Sequence, residues 1–282
     1  MMGKPAGGTC PPLIAGVDRR VTDERGFALL IVLWSLVLLA FLGSQLAVAG
    51  RGEAQLAGNL RGNAVVEAAA DGAVHEALFH LLDSSNRHWR AGGPVRVIRL
   101  PKAVVQLQIT SEAGKVNPNF AEPALLEALL HAVGADQRSA MAIAAAIVEW
   151  RFPGAPDTSA AGALQYRAAG RNYSPPGAPF ETIQELGLVL GMTPELLAAL
   201  TPHLSLYYNA SPDPAVADPV VLQAMRDSAI SGADAGAESV VTVTAAASGE
   251  NASRFVRRAV LRLGGPDQNR AYQILSWSAV TE

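Results

Sequence analysis

The chain has 282 residues, half of them apolar, and a formal net charge of −3, so it can bury one large core or two small ones and is not a disordered polyelectrolyte. Acids outnumber bases 25 to 22, which excludes a protein that holds nucleic acid through bulk basic charge, and a single cysteine excludes an intramolecular disulfide and any Cys-rich metal site. Charged residues make up only 17% and aromatics 6%, and the mean hydropathy is positive at +0.20, so one segment must draw the average upward.

That segment comes first in chain order. Residues 27–49 contain no acid or base and are mostly Leu, Val, Ile and Ala between Arg25 and Arg51. As a helix they extend about 35 Å, enough for a hydrocarbon core of about 30 Å. The leader, residues 1–26, carries Lys4, Arg19, Arg20 and Arg25 against Asp18, Asp23 and Glu24. Its excess of bases predicts a cytoplasmic leader and translocation of everything after Arg51. Three fates of the segment compete. A secretory signal would be cut after Ala47-Val48-Ala49, although the apolar run is longer than a signal core. An uncleaved signal anchor needs no motif. The third reading rests on Arg25-Gly26-Phe27-Ala28, where a charged leader ends in Gly and an aromatic residue opens the apolar helix. This junction resembles the prepilin signal, and the resemblance implies a membrane prepilin peptidase that cuts between Gly26 and Phe27 and N-methylates Phe27. Cys10 would leave with the leader.

Residues 53–82 continue with apolar side chains at helical spacing, including Leu56, Leu60, Val65, Val66, Ala69, Val74, Leu78 and Leu81, which predicts an amphipathic extension of the same helix. Asp83-Ser84-Ser85-Asn86 ends it. Residues 95–100 and 103–110 are β-branched or alternating and predict two strands parted at Pro101. From 112 to 232 the character is helical, clearest over 124–133 and 137–150, with shorter helices over 182–190, 194–207 and 219–228. Strand patterns return at 239–246, 255–263 and 272–280. The expected class is α+β: a long N-terminal helix packed on an antiparallel sheet, with a large helical domain inserted between strands. The expected divisions are a leader 1–26, a transmembrane and assembly helix 27–49, a stem continuation with the first strands 50–111, the insert 112–232 and the remaining strands 233–282.

Local stretches add a family resemblance. Lys115-Val116-Asn117-Pro118-Asn119, Ile147-Val148-Glu149-Trp150, Pro179-Phe180 with Ile183-Gln184-Glu185-Leu186, Gly191-Met192 and Tyr272-Gln273-Ile274-Leu275-Ser276-Trp277, in that order, resemble the K component of the type II secretion pseudopilus. The pilin-like fold belongs to that resemblance. It implies a bulky minor pseudopilin at the filament tip, in complex with the minor pseudopilins I and J and alongside other pseudopilins. Such a subunit primes a short filament used in protein export, with a single inner-membrane span and a periplasmic C-terminal domain. Most pilin-like subunits have Glu as the fifth mature residue, where its carboxylate meets a neighbour's terminal amine. Here that residue is Ile31. A carboxylate without a partner is costly in hydrocarbon, and a tip subunit has no neighbour above it to supply the amine. The rival readings are a minor pilin of a type IV pilus or competence system, which would share the stem, and a signal-anchored periplasmic protein.

The resemblance also implies calcium in the helical domain. Glu149 and Asp157 are the expected ligands, but Leu164 stands where the family commonly has an acid, so the site would be weakened or rearranged. The block Glu185 to Met192 is similar to a helix-hairpin-helix, a motif that grips DNA. Residues 112–232 hold twelve acids and six bases, the wrong sign for phosphate, so the expectation is a packing unit and no nucleic-acid partner. His75, His80, His88, His131 and His203 are scattered, and no nucleophile elbow, Walker loop or dinucleotide fingerprint occurs. The expected protein is not an enzyme and requires no cofactor.

Overall fold

The computed structural model describes residues 24–152, 156–230, 239–264 and 271–280. The first helix, α1, spans Glu24–Leu82. The chain divides into two compact units, Met1–Gly58 and Asn59–Glu282, taken here in turn.

In the first unit, Gly26–Gln45 is a 20-residue stretch of mean hydropathy 2.6 with none of its residues buried. At 1.5 Å per residue it reaches about 30 Å, so it is long and apolar enough to cross a membrane. Its two hydroxyl side chains are satisfied inside the helix: Ser35 Oγ donates to the Ile31 carbonyl at 2.8 Å and Ser44 Oγ to the Phe41 carbonyl at 2.8 Å. Neither therefore needs water, which suits an apolar solvent.

In the second unit, five strands form one antiparallel sheet in the order β1 (Arg96–Leu100), β2 (Ala103–Ser111), β3 (Ser239–Gly249), β4 (Arg254–Leu263), β5 (Tyr272–Ala279). Strand β2 alternates buried and exposed residues along its length, as a sheet covered on one face must. The covering element is α1 from residue 66 onward. Val66, Ala70, Ala73, Val74, Ala77, Leu78 and Leu81 pack on Val105, Leu107 and Ile109 of β2, Val241 and Val243 of β3, and Ala259 and Leu261 of β4. Alanines fill much of the helix seam, so the helix backbone approaches the sheet closely.

One cation lies in this seam. Arg257 of β4 is 8% exposed. Its Nε donates to Asp71 Oδ1 at 2.6 Å and its Nη2 to Glu67 Oε1 at 3.0 Å, and the guanidinium sits over the rings of Phe255 and Trp277. A buried guanidinium requires such partners, and here they tie β4 to the stem.

The helical block occupies the connection from β2 to β3. It contains α2 (Pro123–Ala132), α3 (Gln137–Arg151), α4 (Pro156–Ala168), α5 (Pro194–Leu200) and α6 (Pro219–Asp227), with a 3₁₀ segment at Ile183–Leu188. Prolines open α2, α5 and α6 in the first turn, where the missing N–H costs nothing. Asp136 caps α3 through the amides of Arg138 and Ser139, and Asp218 caps α6 through those of Val220 and Val221. Hydrogen bonds from the Ser139 side chain and amide hold the Asp136 carboxyl below its ordinary pKa. The block has its own core, in which Leu125, Leu129 and Leu130 of α2 meet Ile143 and Ile147 of α3 and Val221 and Met225 of α6.

Three details depart from the sequence reading. The expected helix over 194–207 stops after α5 and a 3₁₀ turn at Thr201–His203. Pro202 has no N–H to continue the ladder, and Leu204 instead bridges to Val116. The expected helix over 182–190 is the 3₁₀ segment, after which Val189 is extended and Gly191 takes a φ of 83°. Helix α4 was not anticipated: its Ala, Gly, Ser and Gln carry little apolar periodicity, and among its described side chains Gly162 and Tyr166 are the buried ones.

Candidate functional site

The stretches that carried the family resemblance lie in the helical block, apart from residues 272–277, which are on β5. Where the chain leaves β2, Glu112 is 3% exposed. Its amide donates to the Val240 carbonyl at 2.8 Å, and its Oε1 accepts from Thr242 Oγ1 at 2.6 Å and from Lys115 Nζ at 2.7 Å. Gly114 follows against the backbone of Val216, where a Cβ would overlap the Val216 carbonyl. Val116 then pairs with the segment after α5: its amide donates to His203 O at 2.9 Å and its carbonyl accepts from Ser205 N at 3.0 Å.

Asn117 is 2% exposed and uses both ends of its amide. Nδ2 donates to Tyr208 O at 2.9 Å and to Asn209 Oδ1 at 3.2 Å, while Oδ1 accepts from Asn119 N at 2.9 Å. Asn119 repeats the device one step further: Oδ1 accepts from Phe180 N at 2.7 Å and Nδ2 donates to Phe180 O at 3.0 Å. Side-chain amides here replace the backbone ladder that a loop lacks.

Phe180, held by Asn119, stacks on Trp150 with centroids 5.8 Å apart and planes 7° from parallel. Tyr166 and Tyr173 complete the aromatic group, each within 6.4 Å of Trp150. The Tyr166 hydroxyl accepts from Leu190 N at 3.2 Å, and burial pushes its pKa up. Arg151, next to the tryptophan and 6% exposed, donates to the carbonyls of Pro118 and Ala121. Burial lowers its pKa, though a guanidinium stays charged at neutral pH. Leu186, Val189 and Met192 of the helix-hairpin-helix-like stretch are buried in the same core.

Sequence reasoning singled out Asn117, Asn119, Trp150 and Phe180 but not Glu112, Arg151, Tyr166 or Tyr173. An arginine immediately after the tryptophan of an apolar helix was the available signal. Nothing marked the tyrosines.

Gly26, Phe27 and Ile31 lie on α1, with Phe27 68% and Ile31 50% exposed. Glu149 faces α4, where a Cβ on Gly162 would overlap its carboxylate. The side chain of Asp157 lies outside the described residues, and Leu164 is exposed. Among the described residues no three His, Cys, Asp or Glu side chains gather.

Three of the histidines have separate partners. His203 Nδ1 meets Asp218 Oδ2 at 2.7 Å, His80 stacks on Trp89, and His75 lies beside Trp277.

Residues 104–209 match the family described as type II secretion system (T2SS), protein K. This span runs from β2 through the asparagine clamp, the tryptophan helix and the aromatic group to Asn209. Over this span the chain is similar to the type II secretion protein K family. Among solved structures, the chain is similar to one in the GspK–GspI–GspJ complex of the enterotoxigenic Escherichia coli type 2 secretion system, with a TM-score of 0.56 and 15% identity, covering 82% of this chain and 99% of that one. At that identity the likeness speaks for the fold, an α+β architecture with an N-terminal helix. No curated protein matches. Within this span the two asparagines tie the entry of the helical block to the segments around Tyr208 and Phe180.

Proposed function

We propose that this chain is a minor pseudopilin at the tip of a type II secretion pseudopilus, where it complexes with the minor pseudopilins I and J and primes filament assembly for protein export. The observation that carries this reading is the protein K match over residues 104–209, which falls on the block inserted between neighbouring strands β2 and β3. The apolar span Gly26–Gln45 serves as a single-pass inner-membrane anchor, and the sheet and block stand in the periplasm. Prepilin peptidase cuts between Gly26 and Phe27, so the helix that anchors the subunit also becomes its assembly stem. Ile31 in place of a carboxylate fits a subunit with no neighbour above it, because hydrocarbon offers an unpaired carboxylate nothing to replace water.

The mechanism is steric as well as adhesive. A block of this size beside the sheet is too wide to repeat along a thin filament, which confines the subunit to the end. N-terminal sequencing of the mature protein from membranes is expected to give N-methyl-Phe27, whereas a chain starting at Gly50 would overturn the pilin pathway. Deleting residues 112–232 is expected to let the subunit enter the shaft, visible by labelling along sheared filaments. Exclusive tip labelling of the deleted form would refute the steric account.

A further inference from the structure

The net charge of −3 conceals a segregation. The five strands hold six arginines and not one Asp or Glu. Across residues 83–111 and 239–264, nine bases face two acids, while the helical block between them is acidic. Arg257 is accounted for by Asp71 and Glu67 on the stem, and Arg96 lies over Trp89. The remaining strand arginines fall elsewhere.

Strand register places them. Cα partners across an antiparallel sheet share a face. One row reads Arg99, Val104, Ser248, Arg254, and another reads Gln108, Thr244, Arg258, Ser278. Between them lies Val97, Gln106, Ala246, Val256. These are the residues alternate to Val105, Leu107, Val243, Ala245 and Ala259, which pack under α1, so the rows make the sheet face turned away from the stem. Arg99, Val104, Gln106, Gln108, Ser248 and Arg258 are exposed. At the far end of this face Tyr207 and Tyr208 of the block pack on Val240 and Val260, and Val256 in the middle row is buried. Three strand spacings separate Arg99 from Arg254, and four residues of rise separate Arg254 from Arg258, about 14 Å in each direction. Lys102, exposed in the β1–β2 turn, adds a cation beside Arg99. An ordinary solvated face intersperses both signs of charge. The three rows carry cations, amides, hydroxyls and two exposed valines, and the carboxylate at the far end of the face, Glu112, is taken up by Thr242 and Lys115.

We propose that the open face of the β1–β4 sheet docks an acidic protein, whose carboxylates meet Arg99, Lys102 and Arg258 around a polar centre of Gln106, Gln108 and Thr244. The basis is charge complementarity, with arginine suited to bidentate capture of carboxylates. Because α1 covers the opposite face, the partner approaches from the side away from the stem helix. The inference stands on the sheet and holds whether or not the chain is a tip subunit.

The test uses the full chain in neutral-detergent micelles with poly-L-glutamate as the acidic-polypeptide probe. Arg99→Gln with Arg258→Gln, both at exposed positions, is expected to weaken binding by about tenfold, and added salt to do the same to the unaltered chain. Arg138→Gln with Arg226→Gln removes equal charge from exposed positions on the helical block and should leave binding unchanged. Far-UV circular dichroism checks that both variants fold. Equal loss in the two variants, or none in the first, overturns the proposal. So does displacement of the probe by phosphatidylglycerol in the micelles at low mole fraction, which would assign the face to lipid headgroups. Sedimentation showing that Arg99→Gln with Arg258→Gln dissolves a dimer would likewise overturn it, by assigning the face to a second copy of the chain.

Discussion

Trp150→Ala is expected to destabilise the helical block by about 3–5 kcal/mol, the range for emptying a buried aromatic site. The residue is 4% exposed and is the one ring in contact with Phe180, Tyr166 and Tyr173 together. Collapse around the cavity is opposed from two sides. Asn119 fixes the Phe180 backbone by two hydrogen bonds, and the Tyr166 hydroxyl is tied to Leu190, so neither ring is free to slide into the space. Urea unfolding followed by circular dichroism measures the loss. A change below about 1 kcal/mol, typical of surface sites, would mean that the aromatic group is not what holds α3 to the segment around Phe180. Trp150→Phe keeps the stack with Phe180 and should recover part of the loss.

Asn117→Ala is expected to cost about 3 kcal/mol, because each buried partner left unpaired contributes about 1–3 kcal/mol. The substitution takes the Asn117 donor from the Tyr208 carbonyl and the Asn117 acceptor from the Asn119 amide. Its effect should spread beyond the site, since Asn119 depends on Asn117 for its orientation and Phe180 depends on Asn119. Hydrogen exchange should show faster exchange at Phe180 as well as at Asn119. Protection lost at Asn119 alone would mean that the two asparagines act independently. Asn117→Asp separates the two halves of the amide: it keeps an acceptor for Asn119 but sets an oxygen against the Tyr208 carbonyl, so it should be at least as damaging at neutral pH.

The sequence made some of this legible through periodicity and some through punctuation. Helices α2 and α3 could be placed because their apolar residues recur at helical spacing over ten residues or more, and β2 because Val105, Leu107 and Ile109 alternate with polar neighbours. Proline at 202 and glycines at 187 and 191 cut the expected helices short, an effect that local patterns blur because Leu and Ala continue through the break. Helix α4 escaped because it buries a stripe of Gly162 and Tyr166 rather than a band of aliphatic side chains. The strand order was within reach, but no spacing rule relates Glu112 to Thr242 or Arg257 to Asp71. Those pairs are separated by more than a hundred residues and are specified only once the sheet has closed. The asparagine clamp was visible as a motif and mute as to its purpose, since an Asn in a Pro-rich loop usually signals a turn.

Strands β2 and β3 are neighbours in the sheet, yet the whole helical block is synthesised between them. Until residue 249 has emerged, a chain synthesised N-terminal end first holds only the β1–β2 hairpin, and the alanine seam of α1 has two strands to meet instead of five. The block has its own core and can fold during this interval, but the sheet must wait, because its central seam joins residues of high sequence separation. Exposed apolar strands are where aggregation starts. The interval between the appearance of β2 and that of β4 is therefore the vulnerable stage in the folding of this chain, and slow synthesis across the block would lengthen it.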